Sequence, residues 1–307
     1  MSADHSLTLP NRRGLIRGGA ALGGLLGAGT LARSVRAADS INDSRLKTVL
    51  DRGKLIVGTG ATNPPWHFED DNGTLVGMDI DMAKEIAIGL MGIEEDPRAL
   101  DDGYVRNYIE FVVEEPNARI PNLLSDKVDV VIQFMTVNNV RATQVEFTVP
   151  YYRETPTFLL PGDSEFNSIA DLAAVGSDLT IAVLQNVGVE ESTHSVVPGC
   201  TVDQYPSIAD AISAMDSGRA DAAAVDLSSG KWFSRTDPGK YKFTEGYSPN
   251  SYAAAVKPGD QIWLNFVNNV FREAVVGLNF KRYSASFQNW FGDTLTPPAV
   301  GFPSEYR

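Results

Sequence analysis

Residues 129–153 read DVVIQFMTVNNVRATQVEFTVPYYR. Val130-Val131-Ile132 is an apolar run between Asp129 and Gln133, the pattern of a short buried strand. Thr136 follows, then Asn138, a favoured helix N-cap, and Arg141 three residues later. A cation in the first turn of a helix sits at the positive end of the macrodipole, where it is locally unfavourable. Two readings stay open on these residues alone. Either Arg141 snorkels into solvent from a short helix, or Arg141, Thr136 and the free amides of the helix start together hold an anion.

The same stretch resembles the signature of the amino-acid-binding proteins of ABC importers. That signature has a strand ending in Asp, a Thr-x-Thr-x-x-Arg turn and then Phe-(Ser/Thr)-x-Pro-Tyr. Here it stands as Thr136-Val137-Asn138-Asn139-Val140-Arg141 followed by Phe147-Thr148-Val149-Pro150-Tyr151, with Asn138 in place of the second Thr. The resemblance runs from about Lys54 to the C-terminus, through several separate motifs in the same order. It implies an α/β fold of the type II periplasmic binding kind: two Rossmann-like lobes joined by a two-segment hinge. The lobes would be residues 38–153 plus 250–307, and residues 154–249.

Residues 1–37 read as an export signal rather than as fold. Arg12-Arg13 opens a twin-arginine motif, residues 18–32 are uncharged and rich in Gly, Ala and Leu, and Val35-Arg36-Ala37 suits a signal peptidase. The apolar run is short of the roughly 18 residues that a membrane span needs. The single cysteine, Cys200, lies far from the cleavage point, which argues against a lipid anchor. Replacing both Arg12 and Arg13 by Lys is expected to leave precursor in the cytoplasm. Undiminished mature protein in the periplasm of such a strain refutes the twin-arginine route.

Removal of residues 1–37 takes five arginines and one aspartate from the 26 basic and 39 acidic side chains, leaving a formal charge of −17. That surplus keeps a protein soluble and repels nucleic acid and anionic membranes. One cysteine allows no internal disulfide, so the fold must rest on its core. The histidines, His5, His67 and His194, are scattered, with no metal-ligand spacing and no Gly-rich phosphate loop nearby. No metal or cofactor is expected.

Leu55-Ile56-Val57 predicts a strand broken at Gly58-Thr59-Gly60, and Asp70-Asp71-Asn72-Gly73 predicts a hairpin turn. Ile80, Ala83, Ile86, Ala87 and Leu90 have helical spacing. Residues 94–107 are polar and acidic and are expected to form an inserted surface loop. Strand and helix patterns then alternate through Leu179–Leu184, Ile208–Met215 and Ala222–Asp226, which predicts parallel sheets with ligand sites at the carboxyl ends of the strands. Trp263, Phe266, Val267, Val270 and Phe271, then Tyr283, Phe287, Trp290 and Phe291, form two helical stripes read as core.

An α-amino acid needs a cation with amide donors for its carboxylate and a carboxylate for its ammonium. The resemblance makes Arg141 the carboxylate clamp, helped by Thr136, and gives the Phe134 carbonyl and Asp226 to the ammonium. Taken by itself, Asp226 could also be a helix cap ahead of Leu227-Ser228-Ser229. Gln185-Asn186-Val187-Gly188 departs from the Gly-Thr-Thr or Gly-Ser-Thr of the resembling family, leaving only the amides of Val187 to Val189 at a helix start, without a hydroxyl. Asn63 stands where an aromatic usually covers the ligand, and Trp66 is either a lid or core. His67 and Glu69 could read a ligand side chain, but lone polar residues beside a turn are more often solvated.

The resemblance implies a periplasmic binding protein, not an enzyme, that closes on a free amino acid and delivers it to an ABC permease. A monomer is expected, with no nucleic-acid partner. The alternative is an enzyme on the same scaffold, of the cyclohexadienyl or arogenate dehydratase type, which would require a general acid in the cleft.

Overall fold

The computed structural model describes residues 40–186 and 188–299. The export signal and Val187 lie outside the described residues. α1 (Arg45–Arg52) starts under the Ser44 hydroxyl, which accepts from the Leu46 amide, and ends at Gly53. β1 (Leu55–Thr59) follows, then a small antiparallel sheet of β2 (Thr62–Asn63), β3 (His67–Glu69) and β4 (Leu75–Val76). The Asp70 carboxylate closes the β3–β4 turn by accepting from the amides of Asn72 and Thr74. α2 (Met78–Met91) buries Ile80, Ala83, Ile86 and Ala87, as their spacing predicts.

Residues 94–107 are more ordered than the expected loop. Asp96 caps a 3-10 turn over Pro97–Leu100, and Asp101 caps α3 (Asp102–Arg106), with Ala99 and Val105 buried. Three of the acidic residues that suggested a solvated loop have local roles: Asp96 and Asp101 are helix N-caps, and Asp96 and Asp102 pair with Arg98 and Arg106. β5 (Ile109–Val113), α4 (Arg119–Leu124), β6 (Val130–Val131), α5 (Asn139–Ala142) and β7 (Glu146–Phe147) complete the run to β8 (Tyr152–Glu154).

The second half holds β9 (Pro156–Pro161), α6 (Ile169–Val175), β10 (Thr180–Leu184), α7 (Val189–His194), β11 (Thr201–Tyr205), α8 (Ile208–Asp216), β12 (Ala222–Asp226), α9 (Leu227–Thr236) and β13 (Tyr241–Phe243). The chain then returns through β14 (Asn250–Tyr252) and β15 (Ala255–Val256) to α10 (Gln261–Val275) and α11 (Phe280–Phe291).

Two lobes result, each around a five-stranded sheet, ordered β5-β1-β6-β15-β7 and β11-β10-β12-β9-β13. The sheets are mixed rather than purely parallel. β5, β1 and β6 run parallel, as do β11, β10 and β12, while β15, β7, β9 and β13 pair antiparallel. The antiparallel strands flank the two stretches that pass between lobes, where β8 and β14 form a two-stranded ribbon. Each lobe pins one of its parallel strands with an aspartate: Asp129 accepts from Ile56 N of β1 at 2.7 Å, and Asp221 from Thr180 N of β10 at 2.8 Å. β1 continues through Gly58 and Thr59, pairing with Val112 and Val113.

The C-terminal helices pack on the first lobe. Trp263, Val267, Phe271, Ala274 and Tyr283 are buried there, and Arg282 grips Glu85 of α2 at 2.8 Å. No described helix is long and apolar enough to cross a membrane.

Candidate functional site

β6 runs into a buried segment, Ile132 to Met135, that ends the first lobe's sheet at its carboxyl edge. Phe134 takes φ 35°, in the left-handed region unusual for a bulky residue. A buried carboxylate holds it there. Asp79 accepts from Phe134 N at 2.9 Å, from the Tyr151 hydroxyl at 2.7 Å and from His67 Nδ1 at 2.8 Å. His67 is therefore buried and stacked on the Phe134 ring at 4.7 Å, not solvated as its sequence context suggested, whereas Glu69 is exposed. Burial lowers the His67 pKa against the pull of Asp79, which leaves the imidazole neutral at pH 7.

Two glycines allow this packing. A side chain at Gly58 would bring its Cβ within 2.4 Å of Glu114 Oε1, and one at Gly60 within 2.5 Å of the His67 ring.

Arg141 does not snorkel. It is 8 % exposed, and burial lowers its pKa. Asn138 is its N-cap, accepting from Arg141 N at 2.9 Å. The guanidinium donates to the Thr136 carbonyl and, in the other lobe, to Asn186 Oδ1, both at 2.8 Å. Asn186 thus answers the missing hydroxyls of the 185–188 turn: an amide oxygen reaches the arginine from across the cleft. Gly188, at φ 79°, opens α7 and is exposed on a surface depression of about 720 Å³ with Glu190 and His194.

Asp226 ends β12 and precedes α9, but its side chain makes no cap hydrogen bond. Its partner is the Tyr252 hydroxyl on β14. Burial pushes Asp226 up to about 6. Glu154, on β8, is pushed up to about 8, first by burial and then by the charge of Asp226. Glu154 Oε2 accepts from the Ser228 hydroxyl at 2.5 Å, and Ser228 in turn accepts from Trp66 Nε1 at 2.8 Å. Ser229 donates to the Pro64 carbonyl at 2.9 Å.

Trp66 is fully buried, edge-on to Tyr152, Tyr252 and Phe291 at 4.7–5.3 Å. It is core with a polar tip that ties the first lobe to α9. Asn63 is also buried and lines an inter-lobe cavity with His67, Gln133, Phe134, Leu184 and Ser207. The structure thus gathers Arg141, Thr136, Phe134, Asn63, Trp66 and Asp226 around the cleft edges of the two sheets, and leaves Gly188 at its margin.

Residues 55–293 match the bacterial extracellular solute-binding proteins, family 3. The chain belongs to that family. Among family 3 relatives, the glutamine-binding protein of Geobacillus stearothermophilus is 27 % identical over 220 residues, 69 % of this chain and 76 % of its own. The L-cystine-binding protein TcyJ of Escherichia coli K12 is 25 % identical over 268 residues, covering 83 % and 89 %. Two solved structures share the fold closely. A mutant of the T. maritima protein ArgBP has a TM-score of 0.67 at 30 % identity, covering 81 % of this chain and 99 % of that one. An ancestral amino-acid-binding protein, a precursor of cyclohexadienyl dehydratase, has a TM-score of 0.69 at 28 % identity, covering 81 % and 100 %.

Proposed function

We propose that this chain is the substrate-binding component of an ABC importer. It holds a free α-amino acid between its lobes, closes by hinge motion and delivers the ligand to a membrane permease. Residues 38–153 with 250–307 move as one body and residues 154–249 as the other. Arg141 and Thr136, with the amides at Val187 and Gly188, bind the carboxylate; Asp226 and the Phe134 carbonyl bind the ammonium; Asn63 walls the site, and Trp66 supports it from the core behind. The protein acts as a monomer in the periplasm.

One observation carries this reading. Arg141 is a buried cation whose side-chain acceptors are neutral, and among the described residues no carboxylate lies within 4.0 Å of it. Across the cleft Asp226 is an acid met by a phenol rather than a cation. Separated buried charges of opposite sign are costly unless something pairs with both, and a zwitterion does so. The names of the relatives agree with this ligand class.

A thermal-shift screen of the mature chain against all proteinogenic amino acids tests it. A ligand at a hundred times its Kd stabilises by about 2.7 kcal/mol. A flat response across the panel defeats the proposal.

Glu154 supports a second reading, catalysis on the same scaffold. A buried carboxyl pushed up to about 8 keeps its proton at neutral pH and has the form of a general acid. Incubation with arogenate, followed by the appearance of aromatic product, decides it. No product above the uncatalysed rate removes the enzyme.

A further inference from the structure

The inter-lobe cavity measures about 50 Å³, several times the roughly 10–15 Å³ that a single water requires. Asn63, Glu114 and Gln133 line it and are 3 %, 7 % and 2 % exposed. Both amide atoms of Asn63, Oε1 of Glu114 and Oε1 of Gln133 are buried with no hydrogen-bond partner. Buried polar atoms are seldom left so, and each one is costly.

The other ends of two of these side chains are already committed, which fixes their orientation. Glu114 Oε2 accepts from Asn122 Nδ2 at 2.5 Å, and Gln133 Nε2 donates to the Glu114 carbonyl at 3.0 Å. The free oxygen of Gln133 can only accept, and so can that of Glu114 while its carboxyl is ionised. Asn63 offers one further acceptor and one donor. His67 adds another acceptor: its Nδ1 must donate to the Asp79 carboxylate, so the neutral ring carries its lone pair on Nε2, beside Gly60. Acceptors outnumber donors on this wall.

The second lobe supplies Leu184, Pro206, Ser207 and Ile208. The start of α8 there offers nothing to an anion. Ser207 Oγ accepts from Asp210 N at 3.0 Å and donates to the Asp210 carboxylate at 2.6 Å, so the helix end carries its own negative charge.

We infer that this cavity reads the ligand side chain and selects one ending in planar N–H donors, a carboxamide or a guanidinium. The inference rests on the amino-acid reading above. An apolar side chain would seal these oxygens away from any donor, and a carboxylate would face acceptors. A flat NH₂-bearing group satisfies Glu114, Gln133 and Asn63 together. The Glu114 charge separates the two chemistries, since it pairs with a guanidinium but only hydrogen-bonds a carboxamide.

Calorimetry with glutamine, asparagine, arginine, leucine, phenylalanine and glutamate on the mature chain tests this, together with Asn63→Ala and Glu114→Gln. Glutamine at 114 keeps its oxygen toward Asn122 and turns a donor into the cavity, nearly isosterically. The tightest ligand is expected among glutamine, asparagine and arginine. Each substitution should weaken that ligand at least about ten-fold, and Glu114→Gln should weaken arginine more than a carboxamide. Melting curves confirm that the variants are folded. Tightest binding of leucine, phenylalanine or glutamate overturns the inference and leaves the amino-acid function standing. So does a donor-ended ligand whose affinity both variants preserve. Binding of no amino acid at all overturns the function and the inference together.

Discussion

Arg141→Ala and Asp226→Ala are each expected to abolish micromolar amino-acid binding while the protein stays folded. The two side chains belong to different lobes, Arg141 on α5 after β6 and Asp226 at the end of β12. Removing either leaves one ligand charge buried and unpaired, at a cost of about 2–5 kcal/mol, or roughly 30-fold to several thousand-fold in affinity. The fold should tolerate both changes. Arg141 loses only hydrogen bonds to the Thr136 carbonyl and Asn186, and Asp226 does not cap α9. Isothermal titration of the two variants, with melting curves as the folding control, reads this directly. If the Asp226 variant binds normally and the Arg141 variant does not, the ligand has an anion but no ammonium, as in a dicarboxylate or a keto acid. Normal binding by both variants removes these residues from the site.

Where a residue's role is set by its chain neighbours, the sequence made it visible. Asn138 caps the turn that carries Arg141, and the alternation of apolar runs located β6, β10 and β12. Asp129, visible as the polar flank of the apolar run, accepts from the Ile56 amide of the neighbouring strand β1, and Asp221 does the same for Thr180 of β10. The polar residues of the cleft were harder to read because burial is created by distant crossings. Asp79 meets a tyrosine 72 residues away, and Trp66 meets a serine 162 residues away. A lone His67 beside a turn looks solvated until α2 folds across it. Asn186 looked like the loss of a hydroxyl, yet its oxygen faces Arg141 from the other lobe. Glu154 carried no signal, since a single acid in a three-residue hinge strand has no period to betray it.

Glu154 leads to the second large effect, a fall in stability as pH rises through neutrality. In the unfolded chain its carboxyl titrates near 4.5 and that of Asp226 near 3.8; in the folded protein they are pushed up to about 8 and about 6. Both groups hold protons in the folded state over a range where the unfolded chain has released them. Their contribution is therefore fully present below about pH 4 and is lost as pH climbs through about 6 and then about 8. The charge of Asp226 raises Glu154, so their protons leave as those of a pair.

For Glu154, which is almost wholly buried, the loss across the window is on the order of 3–5 kcal/mol. Acids held low, such as Asp96 and Asp126, act in the opposite sense but below pH 4, outside this window. Other buried acids with raised values, Glu85, Glu114 and Asp129, bend the curve the same way, so a wild-type profile alone does not identify the cause. Glu154→Gln does. Glutamine imitates the protonated acid and can keep the Ser228 contact that leads on to Trp66 in the first lobe. The melting temperature of the wild type should drop between pH 5 and pH 8.5, and that of Glu154→Gln should drop by much less. Parallel profiles for the two proteins would show that Glu154 enters the folded state already ionised, held by the Ser228 hydroxyl and the Thr155 amide. The general-acid reading would fall with the same result, because an ionised Glu154 has no proton to give at neutral pH.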